Sequence, residues 1–172
     1  RIPNIQVNFG LHDWSTATNM LRNRLADVGL ITDAPVSDAW ERIHIESAEY
    51  VLYCPNEHPL SAQASVSLKD LKEETGIIPE RGSLTRKLLE NACRSHAIAL
   101  ERTVTMATFP LMYEAVLQGI GVAVFLCNSS LIKKSVTEIP IREMTQKHET
   151  HLIATKDRVN LKLISEFISS VI

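Results

Sequence analysis

The spacing of apolar positions changes along the chain, and each change marks an element. Ile5, Val7 and Phe9 alternate with Gln6 and Asn8, a period of two that predicts a strand. After Gly10-Leu11-His12, either Asp13 or Ser15 can cap a helix, with Ala17, Met20, Leu21 and Leu25 on one face, so helix is predicted to about Leu25. Residues 27–33 predict a second short strand. Strand, helix and strand within about thirty residues read as a βαβ unit with a right-handed crossover. Residues 34–39 form a loop, residues 42–45 and 49–54 are extended, and Pro55 to Leu60 is a turn-rich break. Ser67-Leu68-Lys69-Asp70-Leu71 has the spacing of a capping box, with Asp70 in the acidic slot, and predicts a short helix.

Further along, residues 76–79 predict a strand. A loop through Arg81, Gly82 and Ser83 leads into a helix over 85–97 that buries Leu88, Leu89, Ala92 and Cys93. Residues 100–105 are a strand. Thr108 then stands where it can cap a helix, and Pro110 is tolerated in a first turn whose N–H groups lack partners. Leu111, Met112, Ala115, Val116 and Leu117 supply the apolar face, Gly119 and Gly121 stop the helix and turn the chain, and Val122 to Leu126 is an unbroken apolar run. Such a run suits a strand buried on both faces, hence a sheet with parallel strands. A short helix is predicted over 129–134 and extended segments over 136–141 and 150–155. Asn160 is predicted to cap a final helix through Leu161, Leu163, Ile164, Phe167, Ile168 and Val171.

Alternating strands and helices with a long central insertion give an α/β fold of two Rossmann-like lobes joined by two crossover segments. The strand and helix at the end return to the first lobe to bury their apolar faces. The expected division is lobe I over 1–53 and 147–172, and lobe II over 54–146. Ligands bind between such lobes, where helix starts converge.

Composition narrows this only a little. The chain has 172 residues, 45% hydrophobic and 22% charged, and a net charge of −2, which argues against nucleic-acid binding by this chain itself. No apolar run approaches the ~20 residues that span a bilayer, and no leader pattern opens the chain. Arg1 leads directly into strand residues, so a fragment of a longer protein is expected. Cys54, Cys93 and Cys127 are widely spaced, form no C-x-x-C pair and stand in apolar contexts, which favours reduced thiols and a cytoplasmic location. Cys127, in a loop, is the candidate for a redox role.

Four stretches together carry a resemblance to a known family. Leu25-Ala26-Asp27-Val28-Gly29-Leu30-Ile31 resembles its entry to a lobe I strand. Val51-Leu52-Tyr53-Cys54-Pro55-Asn56-Glu57-His58-Pro59-Leu60 resembles its strand ending in His-Pro-Leu. Ser67-Leu68-Lys69-Asp70-Leu71 follows at the family's distance. Val116-Leu117-Gln118-Gly119-Ile120-Gly121-Val122-Ala123-Val124 resembles its Val-x-x-Gly-x-Gly signature. In order and spacing these are similar to the effector-binding domain of LysR-type transcriptional regulators, with the clam-shell fold of type 2 periplasmic binding proteins. Leu126-Cys127-Asn128 stands where the family usually has a proline. The resemblance implies that a first strand and helix, and a DNA-reading winged helix-turn-helix, precede Arg1. It also implies a small-molecule effector, a homodimer or homotetramer, DNA contact only through the missing domain, and no membrane partner.

By the same resemblance the effector cleft is lined by Leu11, His12, Thr32, Ser83, Leu84, Thr85 and Thr108; His148 is expected beside it because it stands near the return crossing. Physical chemistry points the same way, since hydroxyls and unpaired N–H groups at helix starts suit a carboxylate or other anion. Arg81 and Arg86 are the charges nearest such an anion, with Arg86 expected as a solvated surface residue. His12-Asp13 lacks the further groups of an acid–base constellation, so no catalytic residue and no enzyme activity are expected. His148 and His151 have only a superficial metal spacing, because residues three apart in a strand face opposite sides. No metal and no cofactor are expected. The alternative reading is a stand-alone solute-binding protein of a transporter on the same fold.

Overall fold

The computed structural model describes residues 6–127 and 135–171. Ile5, Asn128 and the helix expected over 129–134 lie outside the described residues. Among the described residues, eight strands fall into two sheets. β1 (Gly29–Thr32), β2 (Trp40–Ala48) and β8 (His148–Thr155) form a three-stranded sheet in the order β1-β8-β2. β3 (Tyr50–Pro55), β4 (Thr75–Pro79), β5 (Arg102–Met106), β6 (Val122–Leu126) and β7 (Val136–Pro140) form a five-stranded sheet in the order β5-β4-β6-β3-β7. The chain leaves the first sheet at Glu49, between β2 and β3, so β3 belongs wholly to the second. It returns between Pro140 and His148.

Each sheet is covered on both faces. α2 (Leu84–Ser95) places Leu89 and Cys93 against Tyr50, Leu52, Ile78, Val122 and Val124 on one face of the five-stranded sheet. α3 (Phe109–Leu117) places Met112, Ala115 and Val116 against Val51, Tyr53, Ile77 and Ala123 on the other. Alternate residues of β3 thus serve opposite helices, as the two-residue period of a strand requires. In the smaller sheet Ile31 and Ile153 meet Leu21 of α1 (Trp14–Arg22), while Leu152 and Ala154 meet Ile164 and Ile168 of α4 (Lys162–Val171).

The glycine turn after α3 follows the expected course. Gly119 adopts a left-handed φ of 68°, its N–H donates to Val116 O, and the N–H of Ile120 reaches back to Ala115 O. At Gly121 a Cβ would stand 2.1 Å from the carbonyl oxygen of Thr75, so only glycine allows β6 to approach β4 there. The capping box at Ser67 is formed by Asp70 and opens a 3-10 turn, Leu68–Leu71.

Several expectations are corrected. Val7 and Phe9 are exposed, Phe9 by 87%, and belong to no strand among the described residues. A strand needs a neighbour for its backbone groups, and none of the described strands pairs with this segment. β1 pairs antiparallel with β8, so the predicted βαβ unit with parallel strands is not closed among the described residues. α1 is capped by Asp13 rather than Ser15 and ends at Arg22. Arg24 then turns left-handed, and Leu25 is 72% exposed rather than buried. β6 runs parallel to β4 but antiparallel to β3, giving a mixed sheet. α4 begins at Lys162, two residues beyond Asn160, which therefore does not hold the capping position, and Leu161, Leu163 and Val171 are exposed.

Candidate functional site

The parallel strands decide where ligand-facing loops collect. β4 leads through Arg81, Gly82 and Ser83 into α2, and β5 leads through Thr108 into α3, with Pro79 and Met106 paired at the strand ends. Ser83 and Thr108 therefore stand at the same C-terminal edge of the sheet, with their helices on opposite faces, the edge where open α/β sheets bind ligands. Both are N-cap residues, but neither side chain makes a capping hydrogen bond, contrary to the expected role of Thr108. The backbone of Ser83 accepts from Lys87 N, leaving its hydroxyl and the first-turn N–H groups for another partner.

A polar run leads from α2 into the smaller sheet. Thr85, 6% exposed, donates to the phenol oxygen of Tyr50 at 3.3 Å. The Tyr50 ring, 2% exposed, lies edge-on to the imidazole of His148 with centroids 4.7 Å apart. His148 Nδ1 is bonded to the carboxylate of Asp33. Next to Asp33, the hydroxyls of Thr32 and Thr150 pair across β1 and β8 at 3.2 Å, and the indole of Trp14 donates to Thr32 O at 3.0 Å. Tyr50 is the first residue after the outgoing crossing at Glu49, and His148 is the first residue of the returning strand. The rings at the two crossings thus touch each other.

The electrostatics are those of a closed interior. Burial pushes the Tyr50 phenol up to about 12, with the Asp33 carboxylate adding to the effect and the Thr85 hydrogen bond opposing it. His148 Nε2 makes no hydrogen bond, yet it is not among the fully buried polar atoms left without a partner, a condition found only at Arg42 Nε among the described residues. A hollow of about 520 Å³ lies outside this run, between Trp14 of α1 and one side of α2 from its start to Arg94. Ser83 and Leu84 line it, as do Arg81, Arg86, Lys87 and Arg94 against the single acid Glu90.

The sequence-predicted residues separate accordingly. Thr32, Thr85 and His148 belong to the polar run, and Ser83 and Leu84 to the hollow. Leu11 is exposed. His12 is exposed too and lies beside Gly10 and the cap residue Asp13, whose carboxylate stands next to Gly82. Hydrogen bonds from Thr16 hold that carboxyl below its usual value despite partial burial. Arg86 is not a solvated arginine: its side chain bonds Glu90 at 2.7 Å and Pro79 O at 3.1 Å. His151 faces away from His148, toward His44 and Arg42. Among the described residues no cluster of His, Cys, Asp and Glu is arranged to hold a metal. Sequence reasoning missed Tyr50, Asp33, Thr150 and Trp14; only the pair Thr32-Asp33 at a strand end carried a signal.

A family model described as the LysR substrate binding domain matches residues 1–172. The chain belongs to that family. It is 24% identical over 170 residues to the transcriptional regulator CysL of Bacillus subtilis, covering 97% of this chain and 57% of that protein. It is 22% identical to CfxR of Cupriavidus necator, covering 83% of this chain and 45% of that protein. The LysR-family chain thus spans about half the length of these relatives. Among solved structures it is similar to the regulatory domain of CcmR from Synechocystis in complex with 2-PG. The TM-score is 0.80 at 17% identity, over 98% of this chain and 83% of that one. It also resembles the effector-binding domain of QuiR in complex with shikimate, with a TM-score of 0.75 at 18% identity, over 92% of this chain and 76% of that one. The expected type 2 periplasmic-binding-protein fold is therefore the fold of this chain.

Proposed function

We propose that this chain senses a small anionic metabolite and passes the signal to a DNA-binding segment outside it. The two sheets act as two lobes, with crossings at Glu49 and at the segment before His148. The effector enters between them, bonds to Ser83, Leu84 and Thr85 at the start of α2, and reaches Thr32 and His148 on the other lobe. Leu11, His12 and Thr108 stand at the rim. The observation that carries this reading is the polar run from Thr85 through Tyr50 and His148 to Asp33, because it ties α2 to both crossings. The cations around the adjacent hollow favour an acid. Two relatives of the same fold carry 2-PG and shikimate in their structures, which supports small acids as the class.

The effector changes lobe closure only by binding the open and closed arrangements unequally. Output runs through a homodimer or homotetramer in the cytoplasm, without turnover of the ligand. A thermal-shift screen of carboxylates and phosphate esters, shikimate among them, tests the reading. A ligand at 100 times its Kd adds about 2.7 kcal/mol, which for a chain of this size raises Tm by about 5–10 °C. The expected result is a specific shift that disappears in Thr85→Val and Thr32→Val. A shift that persists in both variants, or no shift across the screen, overturns the site.

A further inference from the structure

We propose that the hollow between Trp14 and α2 is a binding site for a doubly charged anion of the phosphate monoester class, with Arg81 and Lys87 as the residues that select two charges over one. The proposal rests on the reading above for what binding does to the lobes, while the site itself stands on the side chains around the hollow.

The hollow has a wall from each lobe. Trp14 belongs to α1, which packs on the three-stranded sheet; the facing wall belongs to α2, which packs on the five-stranded sheet. At about 520 Å³ it falls in the range of small-molecule sites, about 300–1,000 Å³. Its charge is opposite to that of the chain. Arg81, Arg86, Lys87 and Arg94 line it against the single acid Glu90, although the chain as a whole has a net charge of −2. A cleft lined by one sign of charge concentrates the opposite ion.

The cations are of two kinds. Arg86 is fixed. Its side chain is 16% exposed, its Nε donates to Glu90 at 2.7 Å and its Nη1 to Pro79 O at 3.1 Å. A guanidinium held in this way is oriented before a ligand arrives. The same bond neutralises Glu90, the one acid on the lining. Arg81 and Lys87 are exposed, and neither makes an ion pair or a side-chain hydrogen bond among the described residues. Arg94 stands further along the helix and turns to Asn91 Oδ1 at 3.4 Å. The Asp13 carboxylate, close to Gly82, is occupied as the cap of α1 by the Thr16 N–H and hydroxyl. Arg81 and Lys87 therefore bring two positive charges that no side chain answers. A single carboxylate answers one of them; a phosphate monoester, with nearly two charges at neutral pH, answers both. Trp14 supplies an apolar wall for the body of such a ligand. Its indole N–H donates to Thr32 O at 3.0 Å, which ties that wall to the end of β1. A ligand held by α2 and resting on Trp14 thus spans the two lobes.

Inorganic phosphate is the probe, at about pH 8, where it is mostly doubly charged. Acetate at equal ionic strength is the singly charged comparison. Binding to the 172-residue chain is followed by NMR of the backbone amides and the two indole N–H groups. Trp40, 5% exposed in the core, is the internal reference. Phosphate is expected to shift the Trp14 indole and the amides of Gly82 and Lys87, to leave Trp40 in place, and to bind about tenfold more tightly than acetate. Arg81→Gln and Lys87→Gln change exposed side chains and should keep the fold. Each should weaken phosphate about three- to fivefold and leave acetate nearly unchanged, and the double variant should lose the preference. Thr85→Val should bind phosphate like the wild type, because Thr85 does not line the hollow. Shifts confined to Ser83, Leu84 and Thr85, with Trp14 unmoved and affinity unchanged in the double variant, overturn the hollow and leave the cleft standing. Equal affinity for phosphate and acetate overturns the selection of two charges. No saturable shift with either ion overturns the hollow as a site, whereas the cleft reading falls separately, in the thermal-shift screen.

Discussion

The two glycines after α3 perform different physical tasks, and substituting each by alanine separates them. Gly121 holds β6 against β4. An added Cβ would stand 2.1 Å from Thr75 O and 3.0 Å from Thr75 C, both backbone atoms that cannot rotate away. The parallel junction there consists of two paired positions, Gly76 with Val122 and Ile77 with Ala123, and it joins β5-β4 to β6-β3-β7. Relieving the contact means opening that junction by about 1 Å. Overpacking of a close-fitted site costs about 1–3 kcal/mol, and each weakened ladder bond adds about 1 kcal/mol. The sum for Gly121→Ala is about 3 kcal/mol or more, a fall in Tm of about 6–12 °C for a chain of this size. Gly119 has nothing within 4 Å of its ideal Cβ, but its φ is 68°. Gly119→Ala therefore meets only the left-handed penalty, about 1–2 kcal/mol, and Gly119→Asn less, since asparagine tolerates that region. Urea unfolding followed by far-UV circular dichroism gives each variant's midpoint and slope. A Gly121→Ala variant no less stable than Gly119→Ala refutes the assignment of the close approach.

Three further outcomes follow from the same geometry. Tyr50→Phe removes the acceptor of the Thr85 hydroxyl but keeps the ring contact with His148, so urea unfolding should show a loss of about 1 kcal/mol; a loss above about 3 kcal/mol contradicts this account of the phenol. Glu143 is partly desolvated, but hydrogen bonds from the Ser67 hydroxyl at 2.5 Å and from Leu68 N at 3.0 Å outweigh that and hold its carboxyl below the usual value. The wild type should therefore exceed Glu143→Gln in stability at neutral pH and lose that advantage as acid protonates the carboxylate, below about pH 4.5; a difference that grows toward acid contradicts it. Burial pushes the Cys54 thiol up to about 11, with the Glu74 carboxylate adding, and raises Cys93 as well. Both should resist a thiol reagent at about pH 8 until urea is added; equal rates in native and unfolded protein refute their burial.

The elements that bury their own apolar pattern were the legible ones. Val122 to Leu126 read as a buried run, and residues 49–54 as an extended segment, and both lie in a sheet whose two faces are covered by α2 and α3. The capping box at Ser67 and the turn at Gly119 were legible because their geometry depends on neighbours in sequence. Pairing direction was not. Residues 27–33 read as the second strand of a βαβ unit, but their partner β8 lies more than a hundred residues away and runs antiparallel. The terminal helix was read one face too wide, since Leu163 and Val171 are apolar yet exposed and only Ile164 and Ile168 reach the sheet.

The site divides along the same line. Ser83, Leu84, Thr85 and Thr32 were proposed from the resemblance to the family, with the helix start agreeing for the first three, and His148 from its place near the return crossing. Nothing local distinguishes Tyr50 from Tyr53, which shares its strand and its degree of burial; the difference is the face each presents. Tyr50 faces α2 and the returning strand, so it alone of the two stands between Thr85 and His148. Asp33 is a similar case. Read in sequence it is a turn residue after a strand, and its left-handed backbone agrees with that. Only the return of β8 beside β1 brings Glu149 N and His148 Nδ1 to its carboxylate. The polar run that joins the lobes is thus made of contacts between the two crossings, and a crossing brings together residues about a hundred positions apart. In the sensor proposed above, the coupling residues stand where sequence proximity carries least information. Asp33 and Tyr50, rather than the hydroxyls of the helix start, are consequently the positions at which effector binding and transmission should come apart.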